Sequence, residues 1–213
     1  KVAYSQRRRY LLGQELHGVM NYPFRNALIA YLLGGDADEF RETLEAIREN
    51  YPPNAFSSLM NFLGTHDTPR ILTVLGASRV PDSKEDRASY RLSPEERQMG
   101  LARLRLAALV LFTFPGAPTV YYGDEAGMEG WEDPFNRACY PWGREDTELK
   151  AWFARLAHLR LTTVINAADT LQSLTLPWSG AAPRDLLTGA VLSPADNVLP
   201  LTLLPHQGLL LES

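Results

Sequence analysis

Cysteine is almost absent from this chain, and its scarcity excludes two kinds of chemistry. Cys139 is the single cysteine among 213 residues, so no disulfide can form within the chain and no cysteine-based zinc or iron–sulfur centre can be assembled. An isolated cysteine of this kind is expected to be a small, partly buried apolar side chain.

A surplus of positive charge is also missing. The 21 basic residues are outnumbered by 25 acidic ones, which gives a formal net charge of -4. Nucleic-acid-binding domains normally carry a clear basic excess, and the one basic run, three arginines at positions 7–9, is typical of a solvated face. Nucleic acid is therefore not an expected partner.

Long apolar runs are lacking as well. No segment of about 18 apolar residues occurs, and the first residues do not show the charged, apolar and small-residue regions of a signal peptide. A membrane is therefore not an expected partner, and a cytoplasmic location is the default expectation. The hydrophobic share, 45%, is still large enough for a packed core, which excludes wholesale disorder.

Several motifs that mark metal, nucleotide or nucleophile sites are absent too. The sequence contains no HExxH zinc motif, no DxDxDG calcium loop and no GxSxG turn. The glycine pair at 34–35 follows a predicted helix instead of opening one, so it does not form a phosphate-binding loop. No cofactor and no metal is expected, and a calcium site cannot be read from this sequence.

What the sequence does contain is a repeated strand–helix pattern. Short apolar strands are predicted over 17–22, 61–63 and 118–122, each followed by a helical segment. Near residue 161 this pattern gives way to short alternating apolar runs separated by Gly, Pro and Asn. We therefore expect an α/β domain over 1–160, with parallel strands joined by right-handed crossovers, and a small β domain over 161–213.

The helices are predicted from their end signals. Pro23 opens the first helix and the glycine pair closes it, which is the usual asymmetry of helix ends. Ser93 and Glu96 form a capping box before a helix that is apolar all round and must be buried. A further helix begins at Thr147, and the segment 78–92 is expected to be a polar loop.

Each predicted strand ends in polar groups: Asn21 and Tyr22, His66 and Asp67, and Asp124 and Glu125. The carboxyl ends of parallel strands are where α/β barrels and open α/β sheets both hold their sites. A purely structural interpretation also exists for the second pair, in which the aspartate caps a turn and the histidine is a core residue.

Carboxylate chemistry is what the remaining groups favour, and glycosidic bond cleavage uses carboxylates together with groups that hold a sugar ring. The loop at 131–137 offers aromatic faces for sugars, and its Asp133 and Arg137 could hold hydroxyl groups. The same two residues could equally form a salt bridge that braces the loop.

Four segments in the right order resemble motifs of the α-amylase family of glycoside hydrolases, family 13, and particularly its neopullulanase, cyclomaltodextrinase and maltogenic-amylase branch. VMNYPF at 19–24 is similar to the family's strand-six region, FLGTHDTPR at 62–70 to the end of strand seven, and PGAPTVYYGDE at 115–125 to strand eight. DPFNR at 133–137 is similar to the sugar-binding loop that follows. The resemblance covers most of residues 1–160.

This resemblance implies a fold, a substrate and a set of roles. The fold would be the C-terminal portion of a (β/α)8 TIM barrel, strands six to eight, followed by a small, truncated β-sandwich tail. The substrate would be an α-glucan oligosaccharide, whose α-1,4 or α-1,6 bonds are cleaved with retention. Asp67 would match the family's third carboxylate, which stabilises the transition state without being nucleophile or proton donor. The substrate-binding residues would be His66, Arg70, Asp133, Arg137, Asn21 and Tyr22.

The chain also departs from the family pattern. The family's nucleophilic aspartate and acid/base glutamate lie at strands four and five, upstream of the segments matched here, so the chain alone is expected to be inactive. Further sequence is expected to be missing near 160–165. A non-catalytic sugar-binding or scaffold protein of the same fold remains an alternative, and a free-standing α/β binding domain is a third interpretation.

Three strands of a closed barrel would have two unpaired edges. We therefore expect self-association, or pairing with the missing half-barrel. Val19, Phe62, Val120 and the apolar stretch 109–114 would then face solvent or a partner.

Overall fold

The structure is a computed structural model that describes residues 9–12, 15–157, 162–178 and 181–212. Two of the arginines at 7–9 and the expected domain junction at 160–161 lie outside these residues. No helix among the described residues has the length and apolarity needed to cross a membrane.

The helices are α1 Tyr22–Leu32, α2 Ala37–Asn50, α3 Pro53–Phe56, α4 Ile71–Gly76, α5 Lys84–Ser89, α6 Pro94–Thr113 and α7 Thr147–Ala157, with a 3-10 turn at Phe135–Arg137. The strands are β1 Met60–Phe62, β2 Ala117–Thr119, β3 Thr162–Ile165, β4 Gln172–Pro177, β5 Arg184–Asp185, β6 Val198–Leu203 and β7 Gly208–Glu212.

A small parallel sheet organises the α/β part. Strand β1 pairs with β2 in parallel, in the register Met60 to Ala117, and Met20 forms an isolated parallel bridge with Met60 on the other side of β1. The three predicted strands thus lie side by side, but the first and the third are shorter than expected. The first is reduced to one bridge because Asn21 already caps helix α1.

Helix α6 forms the centre of the core. Its capping box is confirmed: the Glu96 amide donates to Ser93 Oγ at 3.2 Å, and the Ser93 amide donates to a Glu96 carboxylate oxygen at 2.9 Å. Helix α4 packs closely on α6, because a Cβ on Gly100 would lie 3.0 Å from the Cα of Gly76. This contact fixes the position of α4, which directly follows the loop carrying His66 and Asp67.

The sequence suggested that Val19, Phe62, Val120 and the apolar stretch 109–114 would face solvent or a partner, and this prediction is wrong for several of these residues. Phe62, Leu109 and Leu111 are buried, and Val19 packs half-buried against the core. The Tyr22 ring covers Phe62 edge-on, with 4.8 Å between ring centroids. Val120 is 37% exposed.

Two other expectations need correction. Cys139 is exposed instead of partly buried. The polar segment 78–92 contains helix α5, which the sequence pattern missed because none of its residues is buried and it therefore has no apolar periodicity.

The described C-terminal strands form two antiparallel sheets, one ordered β3-β7-β5 and the other β4-β6. A separate apolar cluster lies among them, and its buried members are Leu199, Leu201, Leu203, Leu209 and Leu211. The sheets approach α6 where a Cβ on Gly208 would lie 2.5 Å from a methyl of Leu109.

Candidate active site

The loop after β1 carries the central candidates, and two threonine hydroxyls shape it. The Thr65 amide donates to Thr68 Oγ1 at 3.0 Å, and the Asp67 amide donates to Thr65 Oγ1 at 3.2 Å. The chain needs glycine at position 64, because a Cβ there would lie 2.3 Å from a carboxylate oxygen of Asp124. The loop therefore leaves the strand directly over the segment that follows β2.

Four of the predicted site residues come together at the surface. His66 Nε2 lies 3.3 Å from Asp67 Oδ1, and both side chains are more than 60% exposed. Arg137 lies 3.8 Å from the same Asp67 oxygen and 2.9 Å from Asp133 Oδ1. Exposed pairs of this kind contribute little to stability, typically about 0–1 kcal/mol. The fold therefore does not depend on them, and their polar atoms can bind hydroxyl groups.

Arg70 does not join this exposed group. Its side chain is fully buried, and its Nε donates to the Asn136 carbonyl at 2.7 Å. One terminal nitrogen donates to the Tyr122 carbonyl and lies 3.3 Å from Asp124 Oδ1. Arg70 therefore joins the loop after β1 to the loop after β2, and it stabilises the backbone beneath the exposed residues instead of reaching the surface.

Asp124 is buried beneath the loop with few partners. Burial raises the pKa of Asp124 to about 7, and this outweighs the opposite effect of the Arg70 guanidinium. Its Oδ2 has no hydrogen-bond partner among the described residues. A second buried cation, Arg25, donates to the Leu63 carbonyl at 2.6 Å, and burial lowers the pKa of Arg25.

Asn21 and Tyr22 are placed differently from each other. Asn21 is buried, its Nδ2 donates to Asn61 Oδ1 at 2.9 Å, and its Oδ1 accepts from the Phe24 amide at 3.3 Å. Its carboxamide is thus used inside the fold, as an N-cap followed by proline predicts. Tyr22 is 38% exposed, so part of its side chain is accessible at the surface.

The aromatic face expected from the loop at 131–137 is only partly present. Trp131 is buried and contacts the Tyr90 ring edge-on, so it cannot stack on a sugar. The salt bridge between Asp133 and Arg137 that the sequence left open is present.

Asn136, between these residues, is the functional candidate that the sequence did not single out. It is fully buried, and its carboxamide reaches across to the loop after β1. The only available signal was its place inside the DPFNR motif. Among the described residues, no group of three or more His, Cys, Asp or Glu side chains is arranged to hold a metal ion.

Comparison with known proteins gives this site a family. Residues 2–174 match the family model "Alpha amylase, catalytic domain". An amylopullulanase from Thermoanaerobacter thermohydrosulfuricus is 39% identical over 176 residues, which cover 77% of this chain and 12% of that protein. A cyclomaltodextrinase from Bacillus sp is 32% identical over 170 residues, covering 78% of this chain and 26% of that protein. The chain thus spans about a quarter or less of the length of these two relatives.

Solved structures agree at the level of the fold. Ttha1563 from Thermus thermophilus superposes with a TM-score of 0.76 at 28% identity, covering 95% of this chain and 49% of that one. A cyclomaltodextrinase superposes with a TM-score of 0.77 at 22% identity, covering 99% of this chain and 39% of that one. The chain belongs to the α-amylase family of glycoside hydrolases, and it has part of that family's TIM-barrel catalytic fold.

Proposed function

We propose that this chain is the part of a retaining α-glucan hydrolase that grips the sugar ring at the cleaved bond, with Asp67 as the transition-state-stabilising carboxylate. The observation that carries the proposal is the exposed cluster of His66, Asp67 and Arg137 at the carboxyl end of strand β1. Carboxyl ends of parallel strands are where barrel enzymes hold their chemistry.

The geometry supports distinct roles for the exposed residues. Asp67 has two oxygens that accept hydrogen bonds from neighbouring sugar hydroxyls. The Arg137 guanidinium, 3.8 Å from one of these oxygens, binds a hydroxyl of an adjoining sugar, away from the cleaved bond. His66, 3.3 Å from Asp67, donates to a hydroxyl of the same ring. A bound sugar would cover these exposed groups, and hydrogen bonds strengthen when water is excluded.

Retaining cleavage also requires a nucleophile and an acid/base, two carboxyl groups about 5–5.5 Å apart. We place both in a part of the complete protein that carries earlier strands of the barrel, so that the chain by itself binds sugar without cleaving it. In this arrangement Met20, β1 and β2 belong to strands six, seven and eight, and the C-terminal strands form the small β-sandwich. The parallel order of the three segments and the paired antiparallel sheets support this assignment.

The substrate class is inferred from the relatives and from the space beside the site. Two of the relatives, an amylopullulanase and a cyclomaltodextrinase, are named for their action on pullulan and cyclodextrin. A cavity of about 680 Å³ is lined by Arg137 together with Arg91 and Arg144. Its size favours an oligosaccharide over a single sugar, while the choice of α-1,4 or α-1,6 bonds rests on the family alone.

The outer edges of the small parallel sheet, at β2 and at Met20, are where we expect a partner to bind. Among the described residues, β2 pairs only with β1, and Met20 pairs only with Met60. Val120 and Tyr122, beyond β2, and Met20 are each 37–41% exposed. We propose that further barrel strands of the complete protein, or a second copy of the chain, cover these edges.

Asp67→Asn in the complete protein tests this function. We expect kcat on maltooligosaccharides to fall on the order of 10²–10⁴-fold with KM little changed, because a group that grips the distorted ring acts mainly in the transition state. The matched control is Asp169→Asn, which removes another exposed aspartate paired with a histidine, His206, at 2.7 Å. An equal loss in both variants, or a protein that neither binds nor cleaves any α-glucan, would refute the proposal.

A further inference from the structure

Asn136 makes an unusual set of contacts with the loop that carries the site. Its side chain is completely buried in the 3-10 turn Phe135–Arg137. Its Nδ2 donates to the carbonyl oxygens of His66 and Thr68, both at 2.8 Å, and lies 3.5 Å from that of Thr65. One carboxamide therefore supplies both of its N–H groups to the backbone on either side of Asp67.

The same residue also holds the two loops to each other. Its backbone carbonyl accepts from Arg70 Nε at 2.7 Å, so the beginning and the end of the segment 65–70 both bind Asn136. The next residue, Arg137, contacts Asp67 and Asp133 through its side chain. A shift of Asn136 would therefore move the loop backbone and the Arg137 cation relative to each other.

The exposed tip of the loop gains little order from its own side chains. His66 and Asp67 are more than 60% exposed, so burial of their side chains cannot fix the loop. The hydrogen bonds of the two threonine hydroxyls lie within the loop and move with it. The hydrogen bonds from Asn136 are anchors from a different part of the chain, 68 and 70 residues away.

We propose that Asn136 is a positioning residue, whose carboxamide fixes the backbone that aims Asp67 and His66 at the sugar. The expected effect of Asn136 on kcat rests on the proposed function, whereas its expected effect on the order of the loop backbone does not. Only a side chain with two N–H donors on one nitrogen satisfies both carbonyl oxygens, and an aspartate of the same size would face them with oxygen atoms. Displacement of a reacting group by about 1 Å can cost on the order of 10² in rate.

The chain offers a closely matched control in Asn166. This asparagine is also buried, and its Nδ2 donates to the carbonyl oxygens of Thr170, Leu203 and Leu204 at 2.8, 3.2 and 2.9 Å. It lies in the β domain and makes none of its side-chain hydrogen bonds to the exposed cluster. Asn136→Ala and Asn166→Ala therefore remove the same kind of side chain with the same kind of bonding, but only one of them touches the site.

The first measurement is hydrogen–deuterium exchange of the loop backbone. The amides of Thr65, Asp67 and Thr68 are hydrogen-bonded inside the loop, so their exchange reports how well it is ordered. We expect Asn136→Ala to speed their exchange at least about tenfold, and Asn166→Ala to leave it unchanged. Equal exchange in the two variants would overturn the positioning role. If Asn136→Ala does not fold, Asn136→Ser, which keeps one donor, should still speed the exchange of the same amides relative to the wild type, and unchanged exchange in this variant would overturn the positioning role.

The second measurement is the kinetics of the complete protein on maltooligosaccharides. We expect Asn136→Ala to lower kcat on the order of 10²-fold with a much smaller change in KM, and Asn136→Asp to lose at least as much. Asn166→Ala should keep the wild-type kcat at a temperature where it is folded. Unchanged kcat in Asn136→Ala would refute the catalytic consequence. A wild-type protein without activity or sugar binding would instead refute the proposed function, while the exchange experiment still decides the structural role.

Discussion

Asp124 should make the protein less stable as the pH rises from acid to neutral, opposite to the usual effect of a carboxylate. Burial raises the pKa of this carboxyl from 3.8 to about 7. In this window the folded state holds the proton and the unfolded state has released it, so folding takes up a proton. The free energy of unfolding contributed by this group is therefore highest below pH 3.8 and falls until the pH passes about 7.

The size of the effect follows from the difference in pKa. About three units correspond to about 4 kcal/mol over the whole window, or about 1.4 kcal/mol for each pH unit inside it. The loss is large because the Arg70 guanidinium, 3.3 Å from Asp124 Oδ1, offsets only part of the cost of burying the ionised group. Buried ion pairs often recover less than the desolvation of their two charges.

Asp124→Asn separates this contribution from all others. The amide keeps the shape of the carboxyl and can still accept from Arg70, but it does not ionise. Urea unfolding of both proteins at pH 5 and pH 7 should show the wild type losing about 2–3 kcal/mol relative to the variant over this interval. The m-values of the two proteins should agree, so that the comparison concerns stability alone. A difference between the two proteins that stays constant from pH 5 to pH 7 would refute the reasoning.

Two further variants test the site and the core helix. Arg137→Ala in the complete protein should raise KM for maltooligosaccharides more than it lowers kcat, because Arg137 would hold a sugar remote from the cleaved bond; a larger effect on kcat in steady-state assays would contradict this. Glu96→Gln should remove a stabilising contribution whose pH dependence is opposite to that of Asp124. Hydrogen bonds from Ser78 and Ser93 lower the pKa of Glu96 to about 2. That contribution is present above pH 4.5 and is lost as the pH falls towards about 2, so thermal melts should show the variant losing less stability than the wild type on acidification from about pH 5 to about pH 3.

The sequence predicted the helices that have clear end signals, such as α1, α6 and α7, because those signals are local. Ser93 and Glu96 form the capping box that their spacing indicates, and His66 and Asp67 lie together after a strand because they are adjacent in the chain. Arg137 lies in a different motif but close to Asp67. Only the family resemblance, and no local pattern, indicated that these residues belong to one site.

The sequence was less informative about which polar residues are buried. Arg70 lies three residues after Asp67 and was expected near the sugar, but its side chain turns inward because Tyr122, Asp124 and Asn136 provide acceptors there. Those acceptors are 52 to 66 residues away in the chain, so no local pattern contains them. The same holds for Phe62, which an adjacent ring covers, whereas a count of missing barrel strands suggested that it would be exposed.

The buried and exposed charges of the site have different physical roles. The pair of Arg70 and Asp124 adds little net stability once its desolvation is counted. However, Arg70 lies at the end of the loop after β1 and donates, in fixed directions, to the Tyr122 and Asn136 carbonyls in the segment after β2, so it links these two loops. A hydrophobic side chain could fill the same space without specifying how those loops align. Because Asp67 and Arg137 lie on these two loops, with 3.8 Å between their charged atoms, the alignment determines whether the surface charges meet. The buried pair therefore fixes the geometry that the exposed residues would need in the proposed sugar site, while the exposed residues themselves contribute little to the stability of the fold.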